Sequence, residues 1–229
     1  MIPIRDTIAA RRTCWVVRLL VLANAALFLV EVRQGASLEG FLYRFGMVPA
    51  YWVAGQPGDL FQWPGLVMTL VTCQFLHGSV LHLGFNMLYL WIFGDNVEDR
   101  LGHGRFLLLY LASGAVAALA QLLVQPTAAE PMIGASGAIA GVLGAYFLMF
   151  PFARITTLVP MWFMWEFVEL PAFLFLGVWF VLQWLQGMMR IGRMADVGGV
   201  AWWAHVGGFV CGLLLVVGLQ PRRRIWGRP

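Results

Sequence analysis

The sequence predicts an all-α protein that crosses a membrane several times, and two features of its composition carry this prediction. Of its 229 residues, 61% are hydrophobic and only 11% are charged, whereas soluble domains have roughly 25% charged residues. Because so few charged residues cannot cover a soluble domain of this size, lipid must contact much of the surface. The apolar residues also occur in runs bounded by charge, Gly or Pro, which is typical of membrane-spanning helices.

Six apolar runs are predicted to be transmembrane helices within a single domain over residues 1–229. In chain order they cover residues 14–31, 79–96, 105–124, 136–150, 167–188 and 200–219. The first run follows several arginines and is similar to a signal peptide, but no small-residue cleavage motif follows it, so we expect a retained helix. The third, fourth and sixth runs stop at Pro126, Pro151 and Pro221, because proline cannot continue a helix.

The segment between the first two spans, residues 32–78, is long, aromatic and of mixed polarity. Before about Leu66 no part of it is apolar enough to cross a membrane. Aromatic rings prefer the headgroup level of the bilayer, so we predict an ordered interfacial loop with short helices. The apolar piece Leu66–Phe75 is short, and we interpret it as a partly submerged segment.

The arginines indicate which way the helices run. The chain contains no lysine, and its net charge of +4 comes from arginines that lie mostly where membrane topology requires them, so it does not indicate nucleic-acid binding. With the N-terminus inside, ten arginines lie in inner segments and four in outer ones. We therefore expect both short tails, 1–13 and 221–229, in the cytoplasm, with the chain in a bacterial inner membrane.

Four polar side chains stand out inside the predicted spans, where such groups are costly and usually functional. They are His82 and Asn86 in the second span, Ser136 in the fourth and His205 in the sixth. At about 1.5 Å per residue, Ser136, His205 and His82 lie roughly 20–24 Å above the inner ends of their helices. If those ends are level, three helices present polar groups in one layer below the outer surface, with Asn86 one turn deeper than His82.

This layer contains what nucleophilic acyl transfer needs. A serine hydroxyl becomes a nucleophile when a base takes its proton, and neutral imidazole is the usual base near pH 7. Gly134 and Gly137 flank Ser136 and leave room for a peptide to approach. The free N–H groups at the helix N-terminus, with His82 and Asn86, can donate hydrogen bonds to a developing oxyanion.

A close approach of the fourth and sixth spans is predicted by two GxxxG pairs. Gly137 and Gly141 lie on the fourth span, and Gly208 and Gly212 lie on the sixth. Small residues at this spacing allow helix backbones to approach closely in lipid. The same pairs can instead mark contacts between copies of the chain, which leaves an oligomer open.

The motifs resemble the rhomboid family of intramembrane proteases. Two matching pieces are Gly134–Gly137 and Ala204–Gly208. Two more lie in and just after the second span: one contains His77, His82, Asn86 and Met87, and the other contains Glu98, Arg100 and Gly102. The resemblance covers about 66–220. The resemblance implies a six-helix bundle with a Ser-His dyad, in which Ser136 is the nucleophile, His205 the base, and His82, Asn86 and the Ser136 amide the oxyanion hole. It implies single-span membrane proteins as substrates, cut near the outer end, and no cofactor or metal.

Two departures from the family pattern concern the surroundings of the dyad. Many members carry an aromatic residue one turn after the serine, where this chain has Ala140, so another residue must support His205. The first loop also lacks the Trp-Arg pair that many members have. We further expect substrate to enter beside the fifth span, with the loop Met189–Gly199 acting as a lid.

Structural readings of the same residues stay open at this point. Ser136 can be a helix N-cap, His205 a hydrogen-bonding group between helices, and His82 and Asn86 packing contacts. For His77 we favour a structural or loop-anchoring role. The functional alternatives are a relative that binds membrane clients without cleaving them, a transporter or channel, and a zinc protease using His77, His82 and His205. The shared height of the polar groups and the order of the motifs favour the serine protease.

Overall fold

The computed structural model describes residues 1–54, 63–161, 164–191 and 200–220. Within these ranges the helices are α1 Trp15–Arg33, α2 Leu38–Phe45, α3 Pro49–Ala54, α4 Trp63–Thr72, α5 Val80–Leu101, α6 His103–Val124, α7 Ser136–Met149, α8 Ala172–Met189 and α9 Trp202–Leu219. The strands are β1 Ile2–Asp6, β2 Arg154–Met161 and β3 Met164–Pro171. Most of the predicted lid, Met189–Gly199, and the tail 221–229 lie outside the described residues.

A helix occupies the place of every predicted span, which confirms a helical membrane bundle. By length and apolar composition, α1, α6, α8 and α9 can each cross a bilayer. The segments Gly65–Phe75 and Val80–Leu101 meet this criterion only as a pair bent by 84°, and α7 is a shorter apolar helix. Six as the number of crossings therefore stays a prediction.

A three-stranded antiparallel sheet, which the sequence did not predict, has two of its strands between α7 and α8 in the chain. Strands β2 and β3 form a hairpin in which Arg154 pairs with Pro171 and Met161 with Met164, and β1 from the N-terminus pairs with β2. The fifth span was predicted to start at residue 167, and this boundary was wrong. Residues 167–171 belong to β3, and α8 begins after Pro171, which is compatible with a helix start and not with a helix interior.

We call the end of the bundle that holds β1 and the start of α1 the inner end, and the opposite end the outer end, after the orientation that the arginines predict. Buried polar side chains join the inner end. The Glu98 carboxylate is 1% exposed and accepts hydrogen bonds of 2.9 and 2.8 Å from the backbone N–H groups of Val16 and Val17. It thereby caps the N-terminus of α1, whose free N–H groups favour a negative charge. In the same way, Asp6 of β1 accepts hydrogen bonds from the Tyr146 hydroxyl and from the Asn96 side chain, which joins the sheet to α5 and α7.

The long segment after α1 contains the short helices α2, α3 and α4 and returns to the bundle at His77. The backbone N–H of His77 donates hydrogen bonds to both carboxylate oxygens of Glu31, at 3.2 and 3.0 Å. Glu31 is 2% exposed and lies in the last turns of α1. This buried acid ties the sharp bend between α4 and α5 to α1, and thereby holds the start of α5 in place.

Helix α7 lies in the middle of the bundle, and every residue from Gly137 to Tyr146 is buried. Its glycines permit direct backbone contact with α9. A Cβ atom at Gly208 would collide with the Gly137 carbonyl, and one at Gly212 would collide with the Gly141 carbonyl. Both GxxxG pairs thus make contacts within the chain, and they bring the starts of α7 and α9 together.

Candidate active site

Ser136 is the first residue of α7, and an unusual backbone precedes it. Gly134 has a φ of +125°, which side chains rarely permit. A Cβ atom at Gly134 would also lie 2.8 Å from Nε2 of His82. Glycine is therefore needed here for two reasons, and the loop it forms presents the Ser136 hydroxyl to the cavity beside α5.

His205 lies in the first turn of α9 and faces Ser136. Its Nε2 is 2.8 Å from the Ser136 Oγ, although 69 residues separate the two along the chain. The His205 side chain is 9% exposed, so the pair is largely shielded from solvent. The structure thus brings together the two residues that the sequence analysis paired, in a geometry that allows a proton to pass from the hydroxyl to the ring.

The support for His205 comes from α8. The Oε1 of Gln183 lies 2.7 Å from His205 Nδ1, and the Trp179 ring packs at 5.8 Å between ring centroids with a tilt of 36°. Because position 140 is Ala, some other residue was expected to support His205. Neither Gln183 nor Trp179 was identified from the sequence. Gln183 is a polar residue in an apolar span, so the rule that singled out the other four would have found it.

His82 and Asn86 lie on α5 beside the serine loop. The backbone N–H of His82 donates to Ser79 Oγ, which caps the start of α5. Asn86 is 6% exposed, and its Nδ2 has no hydrogen-bond partner among the described residues. A buried amide donor without a partner is costly, and Asn86 lines the cavity, so this donor is available to a group bound there.

His77 stands behind these residues. Its side chain is 2% exposed, and its ring packs edge-on against the His82 ring at 5.1 Å between centroids. Neither ring nitrogen of His77 has a hydrogen-bond partner in the described part of the chain. Its contacts with Glu31 and His82 fit the favoured role, in which His77 anchors the loop and backs the His82 ring.

These residues line one cavity of about 860 Å³. Its wall includes His82, Asn86, Gly134, Ser136 and His205, and it also includes residues of α6, α8 and the loop before α7. Across the described ranges, no group of three His, Cys, Asp or Glu side chains is arranged to hold a metal ion. Both ring nitrogens of His205 are already engaged by Ser136 and Gln183. The arrangement can therefore activate a hydroxyl and donate hydrogen bonds to a bound carbonyl oxygen.

Comparison with known proteins gives a consistent result. A family model described as the Rhomboid domain matches residues 64–222, more than half of the chain. The chain is 39% identical over 118 residues to the rhomboid protease GluP of Bacillus subtilis (strain 168), a match that covers 52% of this chain and 21% of that protein.

Two eukaryotic proteins are similar over longer stretches. Rhomboid protein 1, mitochondrial, of Saccharomyces cerevisiae is 31% identical over 151 residues, which cover 64% of this chain and 40% of that protein. RHOMBOID-like protein 5 of Arabidopsis thaliana is 32% identical over 155 residues, which cover 67% of this chain and 45% of that protein. The chain thus spans less than half the length of these relatives.

Proposed function

Because the chain belongs to the rhomboid family, we propose that it is an intramembrane serine endopeptidase in which Ser136 is the nucleophile and His205 the general base. The observation that carries this proposal is the 2.8 Å contact between Ser136 Oγ and His205 Nε2 at the wall of the cavity. A hydroxyl and an imidazole at this distance are the minimum that acyl transfer to serine requires.

The reaction begins when His205 Nε2 takes the proton of Ser136 Oγ as the oxygen attacks the peptide carbonyl carbon. A tetrahedral intermediate forms, and its oxyanion accepts hydrogen bonds from the Ser136 amide, the His82 ring and the Asn86 amide. The C–N bond then breaks while protonated His205 gives its proton to the leaving amine. Water, deprotonated by His205, attacks the acyl-enzyme ester and releases the second product together with Ser136.

Three features support the proposed oxyanion hole. Ser136 is at the N-terminus of α7, where backbone N–H groups are free and the helix dipole favours negative charge. The Asn86 amide is buried beside the serine loop with its Nδ2 unpaired among the described residues. The close contact of Gly134 with His82 would hold that ring near the position of the oxyanion.

The substrates we propose are single-span membrane proteins that are cut near the outer end of their span. The cavity lies among helices whose outward faces are apolar, and its wall includes Phe85 of α5 and Gly187 of α8. A segment arriving from the lipid can reach Ser136 between these two helices. The distribution of arginines supports an orientation with both termini in the cytoplasm, in a bacterial inner membrane, with the active site towards the outer side.

Labelling with a fluorophosphonate, followed by mapping of the modified residue, tests the nucleophile directly. We expect modification at Ser136, together with cleavage of a single-span substrate in proteoliposomes that disappears in Ser136→Ala. Ser113→Ala is the matched control, because Ser113 is fully buried on neighbouring α6 and does not line the cavity. Unchanged cleavage in Ser136→Ala would refute the proposal. Binding of substrate without cleavage by the wild type would favour a client-binding relative.

A further inference from the structure

Both ring nitrogens of His205 have a partner, and the two partners differ in kind. Nε2 faces the Ser136 hydroxyl at 2.8 Å, and Nδ1 faces the Gln183 amide oxygen at 2.7 Å. An amide oxygen only accepts hydrogen bonds, so this orientation of Gln183 requires the ring proton on Nδ1. Nε2 is then the bare nitrogen, which is the tautomer that a general base for Ser136 requires.

We propose that Gln183 is a positioning residue for His205, whose amide oxygen fixes the tautomer and the orientation of the ring. This inference rests on the proposed function, since it concerns how the base of that reaction is prepared. Gln183 acts here without a charge, so no buried carboxylate is needed in the membrane, where an unpaired charge is expensive. The same oxygen continues to accept the hydrogen bond from Nδ1–H when the ring becomes an imidazolium.

The geometry of α7 and α9 explains why this support comes from a third helix. Ala140 is fully buried one turn after the serine, and a Cβ atom at Gly208 would lie 3.3 Å from the Ala140 Cβ. Ala140 has no side-chain atom beyond Cβ with which to support the His205 ring, so the support comes from another helix. On α8, Trp179 and Gln183 are four residues apart and share a face, and both contact the His205 ring.

A consequence for α8 follows from where it is anchored. Its buried residues are Ala172, Phe175 and Leu176 near the inner end, and Gln183 and Gly187 in the outer half. The outer half meets α9 through the Gln183 hydrogen bond and through Gly187, which packs against Trp203. If the outer half moves aside to admit a substrate, His205 loses its acceptor. The base is then competent only when α8 is seated against α9.

Gln183 can instead be a hydrogen-bonding residue that merely holds two helices together, and the experiment must separate these roles. Three variants of the chain distinguish positioning of His205 from packing of the two helices. Gln183→Met keeps the length of the side chain but removes the acceptor. Gln183→Glu keeps an acceptor oxygen facing Nδ1. Gln186→Met is the matched control, on the same helix and half-buried.

For Gln183→Met we expect kcat, and the rate of fluorophosphonate labelling at Ser136, to fall about 10- to 100-fold, the range for outer partners that orient a histidine. The KM should change little, because Gln183 does not line the cavity in which the substrate would bind. Gln183→Glu should restore most of the rate, and Gln186→Met should match the wild type. Wild-type kinetics in Gln183→Met, or equal losses in Gln183→Met and Gln183→Glu, would overturn the inference.

Nitrogen-15 NMR of the histidine rings provides a readout that does not depend on activity. In the wild type we expect the His205 proton on Nδ1, and in Gln183→Met a mixture of both tautomers. A wild-type ring protonated on Nε2 would overturn the role of Gln183 even if Gln183→Met fails to fold. If the wild type is not labelled at Ser136, the proposed function fails, while the NMR result still decides whether Gln183 sets the tautomer.

Discussion

At the inner end of the bundle, the buried Glu98 carboxylate accepts hydrogen bonds from the N–H groups of Val16 and Val17. At the outer end, the Asn86 Nδ2 is equally buried but has no partner among the described residues. Asn96 lies ten residues further along the same helix, and its Nδ2 donates hydrogen bonds to the carboxylates of Asp6 and Asp95. Both ends of α5 bury polar groups, yet the two ends use them differently.

The difference teaches how to separate structural from functional polar groups inside a membrane protein. A hydrogen bond within the protein repays the cost of burying both partners, so a satisfied group stabilises the fold. A buried donor without a partner adds a cost, and a bound group that accepts its hydrogen bond removes that cost. On this basis, changes at the inner end should lower stability, and changes at the outer end should lower activity.

The largest effect is expected for His205→Ala at the outer end. Loss of the general base should reduce kcat by about 10⁴-fold or more, as for other residues of a serine-histidine unit. The protein should still fold, because the contacts between α7 and α9 depend on glycines and not on the ring. Substrate cleavage per folded molecule is the measurement. Activity within tenfold of the wild type would contradict the Ser136–His205 dyad and the assignment of catalysis to the outer end. A factor of ten in rate corresponds to only about 1.4 kcal/mol of activation free energy.

The second prediction uses the two asparagines of α5 as a matched pair. Asn86→Ala should lower kcat by about 10²–10³-fold, the usual effect of losing one oxyanion donor, with an unchanged unfolding temperature. Asn96→Ala should lower the unfolding temperature, with little change in kcat of the folded protein. Steady-state kinetics and thermal unfolding of both variants check this. A stability loss in Asn86→Ala with normal kcat would reverse our assignment of the two ends.

The third prediction concerns Glu98. Glu98→Gln keeps the shape of the side chain but leaves one of the two α1 N–H groups facing an NH₂ group. A hydrogen bond to a charged group contributes about 1.5–3 kcal/mol, so a loss of that order in the free energy of unfolding is expected. Fluorophosphonate labelling of the folded fraction should stay at the wild-type rate. Wild-type stability in Glu98→Gln would show that this cap does not hold α1.

The smallest effect concerns the pH dependence of β1 docking. Burial raises the pKa of the Asp6 carboxyl above its ordinary value of 3.8, and the hydrogen bond from Tyr146 opposes this rise. The folded state therefore keeps the proton at pH values where the unfolded chain has lost it. Stability from Asp6 is complete below pH 3.8 and declines as the pH rises through the folded-state pKa.

Asp6→Asn removes this titration, so its advantage in unfolding temperature over the wild type should be larger at pH 7 than at pH 4. Thermal unfolding of both proteins at several pH values measures the difference. An equal difference at all pH values would mean that Asp6 titrates normally when β1 is docked.

Several parts of the fold followed directly from the pattern of apolar residues. The places of α1, α5, α6, α7, α8 and α9 were predicted because each is a long apolar run with polar or proline boundaries. The sheet was not predicted, because Phe167–Pro171 continues into an apolar run and short apolar stretches do not distinguish strand from helix. Strand pairing makes these residues a β-strand, because β3 is hydrogen-bonded to β2, and β2 to β1 from the distant N-terminal segment.

The candidate site was predictable where the signal lay in single residues. Ser136, His205, His82 and Asn86 are conspicuous as polar groups within apolar spans. Gln183 carries the same signal, but its partner could not be named without knowing which face of α8 meets α9. Glu31 was missed for a related reason, because an acid near the end of a span is normally solvated, and only the folded loop covers it.

By itself, the sequence determined which side chains are available for chemistry and how far along its own helix each one lies. Height along a helix is local, since every residue adds about 1.5 Å whatever surrounds it. Only the tertiary structure decided which faces meet: that Ser136 contacts His205 across 69 residues, and that Gln183 reaches the far side of the same ring. Rotation about a helix axis and the choice of neighbours depend on packing between segments, here on glycines that let α7 and α9 touch, and no single stretch of sequence contains that information.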